Sequence, residues 1–322
     1  MNFIKNLFRN HKDYQNWYFE TSSVNYLLDE VFTGPENSSI KTRKLQLKKS
    51  RKWYISNITL WEIFLTNNEE RRRELFDFSR CLFYKDLMPS VEELLINYIN
   101  NGLPNIEERY KLKSKSIFSR HWRKSCQNLS YFFEPELADL KRHTEYYRFL
   151  GEYFIKTNNG YVLNFVEDIS LDGKKLEMGK IQTSFQKLIS ELSDEEYKEH
   201  EQYINLSFKL VLIVFCYGIN FNQQMTENFW KKIGIENPND RISYVVEKIP
   251  DLFYRGPISN ITKMILLQAN SKSTRGVYFD ALHSVYITYS DFYFSDDEHF
   301  NNLKQTIKDP NMFKIKKVSE VI

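Results

Sequence analysis

The stretch from Gly276 to Phe300, GVYFDALHSVYITYSDFYFSDDEHF, constrains this chain more than any other. Leu282, Val285, Tyr286 and Tyr289 fall at i, i+3, i+4 and i+7, which predicts one helical face running from a cap at Asp280 to about Ser290. Phe292 to Phe294 then reads as a short strand that stops at Ser295, Asp296 and Asp297. Two acidic positions are thereby expected close together, one at a helix start and one where a strand leaves a sheet. In open α/β sheets that strand end is where ligands bind.

Two earlier segments repeat the plan. WYFETSSVNYLLDEV, from Trp17, predicts a short strand ending at Glu20, a Ser/Thr cap, and a helix with Val24, Leu27, Leu28 and Val31 on one face. WYISNITLWEIF, from Trp53, predicts a strand, a cap at Ser56 or Asn57, and a helix carrying Glu62 one or two turns in. Strands that pass straight into amphipathic helices predict an α/β protein built on a parallel sheet.

Taken together, these residues resemble the PIN-like domain nucleases. The family's pattern is a strand-end acid followed by Thr-Ser, a Glu on a helix after an Ile-Ser strand, an Asp opening a late helix, and a Thr-x-Asp-x-x-Phe strand end. The counterparts here are Glu20-Thr21-Ser22, Glu62 in TLWEI, Asp280 in FDALH, and Ser295 to Phe300. The family usually has Asp where Glu20 stands and Thr where Ser295 stands, and the register to Phe300 picks Asp297 as the acid with Asp296 beside it. The resemblance covers about residues 15–100 and 255–322. It implies a three-layer α/β/α sandwich with a central parallel sheet, made of residues 1–100 and 257–322, and a mostly helical inserted subdomain over 101–256.

The resemblance also implies a chemistry. A phosphodiester is anionic and resists hydroxide, so hydrolysis requires charge neutralisation and an activated water. Mg²⁺ or Mn²⁺ held by carboxylates supplies both. Glu20, Glu62, Asp280 and Asp297, with Asp296, are the implied ligands and catalytic residues, and Thr21 and Ser295 would orient them. Acids gathered without a metal repel one another, which is the physical reason to expect an ion among them. The implied activity is a metal-dependent endoribonuclease acting on RNA, with single-stranded DNA as another substrate and a toxin or phage-defence role as the setting. The longer Glu20 keeps a second reading open: a catalytically weak or inactive PIN-like module that binds nucleic acid or a protein partner.

Each acid also has an ordinary structural use. Glu20 and Asp280 serve as helix caps, Glu62 as a surface helix acid, and Asp296 with Asp297 as a turn. Glu92 and Glu93 suit the first turn of a helix from Val91, and Glu92 is a further candidate near the metal. His283 and His299 are candidates for substrate contact or plain packing.

Net charge is only +3 over 322 residues, so a nucleic-acid surface has to be local. Two basic runs qualify. KTRKLQLKKSRK, with Lys48, Lys49 and Arg51, lies between the turns carrying Glu20 and Glu62, and suits a solvated face or phosphate contacts. KLKSKSIFSRHWRKS, with Arg120, Arg123, Phe118 and Trp122, suits a single-stranded nucleic-acid surface or a helix with its aromatics turned into the core. Lys272 and Arg275 precede Asp280 and suit a scissile phosphate or pairing with the acids.

The 25 Phe and 21 Tyr suit an aromatic core above all. Cys81, Cys126 and Cys216 are far apart and fit no metal spacing, so they read as reduced thiols of a cytoplasmic protein. The N-terminal segment lacks a signal-peptide core, and the apolar run Leu210 to Ile219 is too short to span a bilayer. RCLFYKDLMPS predicts a strand and turn, residues 66–80 a capped helix, and FKIKKVSEVI a closing edge strand. The inserted helices suit substrate selection, self-association or docking of a protein partner.

Overall fold

A computed structural model of the chain describes residues 15–32, 51–128, 130–131, 223–248, 255–269, 277–306 and 310–321. The chain divides into two compact units. One comprises residues 1–90, 104–141 and 289–322, the other residues 91–103 and 142–288. The sequence-based division instead groups 91–100 and 257–288 with the sheet and 104–141 with the insert.

The first unit is α/β, built on a four-stranded, all-parallel sheet. Strand β1 (Gln15–Phe19) runs directly into helix α1 (Thr21–Tyr26), which continues as a π-helical turn over Leu27–Phe32. Strand β2 (Arg51–Tyr54) leads into α2 (Asn57–Leu65), and α3 (Glu69–Leu82) follows. Helix α4 (Val91–Asn101) belongs to the second unit, and α5 (Ile106–Lys111) and α6 (Ile117–Gln127) return to the first. The second unit holds α7 (Gln223–Ile233), α8 (Pro238–Lys248), α9 (Pro257–Ala269) and α10 (Val277–His283). Helix α11 (Val285–Tyr289) leads the chain back into the sheet as β3 (Phe292–Phe294), α12 (Glu298–Thr306) and β4 (Ile315–Lys316).

Strand order is β2-β1-β3-β4. Trp17, Tyr18 and Phe19 on β1 are all buried, as expected of a parallel sheet covered on both faces. Side-chain alternation sorts the aromatics. Trp17 stacks on Trp53 at 5.9 Å and Phe19 on Phe294 at 4.5 Å, while Tyr18 turns the other way onto Tyr293 at 5.3 Å. The aromatic richness of the sequence is spent here, in rings buried between strand neighbours.

The segment after α3 is not a strand. Helix α3 runs to Leu82, and the irregular chain beyond it sends Tyr84 N to Trp53 O at 2.7 Å and Met88 N to Ile55 O at 3.0 Å. It covers the edge of β2 with two hydrogen bonds without forming a ladder. At the other edge, β4 is only two residues long, because one-turn helices at Pro310–Lys314 and Val318–Glu320 flank it.

Two further corrections concern the stretch around Asp280. The helix expected from Asp280 to Ser290 breaks at Ser284, and Asp280 lies inside α10 rather than capping it. The break is supported within the second unit. The amide of Asn260 on α9, fully buried, donates to Ser284 O at 3.2 Å and to Thr288 Oγ1 at 2.9 Å, so the Ser284 carbonyl, which also accepts Ile287 N at 3.2 Å, has two donors at the break. In the same unit Gly256 has φ +97°, and a Cβ there would meet Tyr98 Oη at 2.6 Å, so only glycine fits.

The described residues of the second unit are helical and contain no strand. Residues 132–222 of the expected helical insert, including the apolar run Leu210 to Ile219, lie outside the described residues, as do the N-terminal segment before Gln15 and Cys216. No helix among the described residues is long and apolar enough to cross a membrane.

Candidate acidic site at the strand ends

Strands β1 and β3 are neighbours, but β1 connects outward to β2 and β3 connects outward to β4. The chain therefore reverses its winding direction between them. In doubly wound sheets the loops diverge at such a point and leave a crevice beyond the carboxyl ends of the strands. The residues that follow these two strand ends are Glu20 to Ser22 after β1 and Ser295 to Asp297 after β3.

Glu20 continues the β1 ladder, donating its N–H to Phe294 O at 3.2 Å, and is 3% exposed. Its extended backbone makes it the N-cap of α1, the ordinary structural use foreseen for it, in place of the Ser/Thr cap also expected there. The carboxylate accepts Ser22 N at 2.9 Å, Ser23 N at 3.3 Å and the Ser22 hydroxyl. Three donors from one turn, at a helix N-terminus, make a buried charge tolerable. The extra methylene relative to Asp lets the side chain curl back over its own turn.

The two hydroxyls of that turn join Glu20 to the other acids. Ser22 Oγ accepts Asp296 N at 2.9 Å while donating to Glu20, so one hydroxyl bridges the ends of β1 and β3. Thr21 Oγ1 donates to Glu62 Oε2, which ties α2 to the same turn. Glu62 is half-buried on a helix capped, as expected, by Ser56, whose Oγ accepts Thr59 N at 3.4 Å.

Asp296 and Asp297 do different jobs. Asp297 Oδ1 accepts His299 N at 2.7 Å and caps α12, with His299 Nδ1 3.4 Å away. The Asp297 N–H is held by the buried Ser295 hydroxyl at 3.1 Å, so Ser295 supports the cap turn. Asp296 is half-buried, and its Oδ2 has no hydrogen-bond partner within normal geometry. Burial pushes the Asp296 carboxyl above the usual aspartate range. Val318 N–H, Lys317 and Ser23 favour its ionised form, but the loss of solvent outweighs them.

The expected ligands do not all converge. Within the first unit, no three of Glu20, Glu62, Asp296 and Asp297 bring a carboxylate oxygen each within 4.8 Å of one another. Asp280 belongs to the second unit, where it is 8% exposed on α10, and Glu92, 2% exposed on α4, belongs there too. His283 is fully buried in that unit with its ring 6.5 Å from that of Tyr286, so it is a packed residue.

The basic candidates are placed as follows. Arg51 starts β2, so the length of the strand, about 13 Å at ~3.3 Å per residue, separates it from the acids. Its guanidinium lies 4.4 Å from the Trp17 ring. Arg123 is held by the buried Asp86 at 2.6 Å, and Arg120 is exposed. Lys48, Lys49, Lys272 and Arg275 lie outside the described residues.

No signal in the sequence marked Ser22 as the bridge between strand ends, because both of its partners depend on β1 and β3 lying side by side. No protein-family profile, curated protein or solved structure matches the chain.

Proposed function

We propose that the chain is a metal-dependent endoribonuclease with a PIN-like three-layer core, in which Glu20, Glu62, Asp296 and Asp297 form the acidic wall of the active site. The reading rests on one observation: the turn after β1 ties Glu20 to Asp296 through Ser22, and Glu62 through Thr21, at the winding reversal of a parallel sheet.

The residues suit a hard divalent cation, Mg²⁺ or Mn²⁺. Asp296 Oδ2 is a buried acceptor without a partner at normal hydrogen-bond geometry, and Glu62 is a carboxylate oriented by Thr21. Such an ion, when bound, supplies charge neutralisation and an acidified water. Thr21 and Ser22 fix the rotamers of Glu62 and Glu20, and Ser295 holds the turn that carries Asp296 and Asp297. The PIN-like resemblance adds Asp280 to the set and supplies RNA as the substrate class, with a toxin or phage-defence setting.

One observation favours the second reading, an inactive PIN-like nucleic-acid-binding or protein-interaction module. Both Glu20 oxygens are already engaged by donors from its own turn, which is what a purely structural cap requires.

A cleavage assay on RNA and single-stranded DNA with Mg²⁺, Mn²⁺ or EDTA separates the two. The nuclease reading expects cutting that needs metal and is abolished in Glu62→Gln and Asp296→Asn, with Asp280→Asn and Asp297→Asn in the same panel. It expects Thr21→Ala to weaken Mn²⁺ binding by about 10-fold, the lower end for a residue that orients a ligand. Binding of RNA without cutting in any metal overturns it in favour of the second reading.

A further inference from the structure

We propose that the segment from Lys111 to Lys124 is a binding surface for the phosphate backbone of nucleic acid, acting by charge alone and without base stacking. From Arg109 to Ser130, both included, the chain has seven Lys and Arg and no Asp or Glu, against a net charge of +3 for all 322 residues. The whole segment lies within the sheet unit.

The burial pattern turns this run into two ordered rows of cations. After α5 the chain is irregular, and Lys111, Lys113 and Lys115 are exposed while Leu112 is half-buried and Ser114 is 3% exposed. Ser114 N reaches Leu87 O at 3.5 Å, and its hydroxyl lies 2.8 Å from that of Ser116, which caps α6. An alternating segment pinned at Ser114 holds its lysines on one side. Their spacing is about 7 Å for each two residues of extended chain, of the order of one nucleotide step. On α6, Arg120 and Lys124 follow at i and i+4, both exposed, so they share a face.

The buried Asp86 is taken up by Arg123 at 2.6 Å, and Lys113 is 3.9 Å from it with its side chain 62% exposed. A pair that long and that solvated leaves Lys113 available to a polyanion.

The same geometry says which polyanion. Trp122 is fully buried, donates Nε1–H to Tyr84 O at 3.0 Å and meets the Phe76 ring edge-on, while Phe118 packs against Trp61. Trp122 is thus a core residue, and the half-buried Phe118 is engaged edge-on by Trp61, so neither ring stands out as a platform for bases. They also offer nothing to insert into a bilayer: the exposed large apolar residues among those described are Leu103 and Phe313, neither of them in this segment. Cations in rows without exposed apolar surface match a phosphodiester backbone in water.

The test is salt-dependent binding of fluorescein-labelled oligouridylate, oligoadenylate and duplex DNA by the full chain, read by anisotropy. Working in EDTA stops any metal-dependent cutting, so this proposal and the nuclease reading fail separately. The expected result is equal affinity for the two single strands and a linear fall of log K with log salt. In the triple variant Lys111→Gln, Lys113→Gln, Lys115→Gln, the loss of three contacts at about 0.7 each flattens that slope by about 2 and weakens binding at about 0.1 M salt roughly 100-fold. Arg120→Gln with Lys124→Gln flattens it by about 1.4 on the same reckoning. A wild-type chain that binds no nucleic acid overturns the proposal, and so does a slope unmoved in both variants. Binding only to phosphatidylserine vesicles overturns it in favour of a membrane surface, and a preference for one base shows that stacking was wrongly dismissed.

Discussion

Removing the Ser22 hydroxyl tests whether the turn after β1 holds the strand ends together. Ser22 Oγ accepts Asp296 N–H at 2.9 Å and donates to the Glu20 carboxylate, so Ser22→Ala deletes one neutral bond and one to a charge. Net values of about 1 kcal/mol for the first and about 1.5–3 kcal/mol for the second bracket the loss. Ser22 is half-buried, so water recovers part of it, leaving about 2 kcal/mol. That corresponds to a fall in melting temperature of about 4–8 °C for a unit of this size. Near-UV circular dichroism is the suitable probe, because Trp17 and Trp53 stack with rings 5.9 Å apart in the same sheet. Ser22→Thr keeps the hydroxyl and should melt like the wild type. Thr21→Ala removes a single bond to the half-exposed Glu62 and should cost less than Ser22→Ala. If Ser22→Ala melts within about 1 °C of the wild type, or above Thr21→Ala, the bridge is not what joins β1 to β3.

Two further outcomes follow from titrations. The folded Asp296 carboxyl lies above its ordinary 3.8, so the folded chain holds that proton more tightly than the unfolded one; its contribution to stability is present below 3.8 and is lost as pH rises through the higher folded value. In EDTA, urea unfolding of Asp296→Asn should show a shallower fall of stability in that window, and greater stability than the wild type at neutral pH; a less stable variant there contradicts the burial argument. Burial pushes the Cys126 thiol up to about 11, which leaves about one molecule in a thousand as thiolate at pH 8. Iodoacetamide should therefore label the exposed Cys81 well before Cys126, and equal rates would show that the α6 thiol is not desolvated.

Much of the sheet was legible in the sequence. WYF before Glu20, WYIS before Asn57 and FYF before Ser295 are short aromatic runs, and each became a strand or part of one, because a parallel sheet buried on both faces demands apolar side chains at every position. Helices α2, α3 and α4 also lie where apolar periodicity and caps put them. The strand expected in RCLFYKDLMPS was misread for a physical reason: those apolar residues do lie along β2, but as an irregular cover with two backbone bonds.

The acidic site was legible in its parts. Glu20, Glu62, Asp296 and Asp297 stand out as acids just after strands or on the next helix, and sequence order alone places three of them at strand ends. Which residue each acid binds was not legible. Ser22 touches Asp296 across 274 positions and Thr21 touches Glu62 across 41, and no local pattern encodes such contacts. Local chemistry thus determined the strands, most helices and the acidic composition of the turns, since these depend on side-chain period and capping within a few residues. Tertiary structure decided that Ser22 would meet Asp296, that of the two readings of Trp122 the core would win, and that lysines from 111 to 115 would line up on one side. Each of those outcomes follows from which surfaces the packed sheet removes from water.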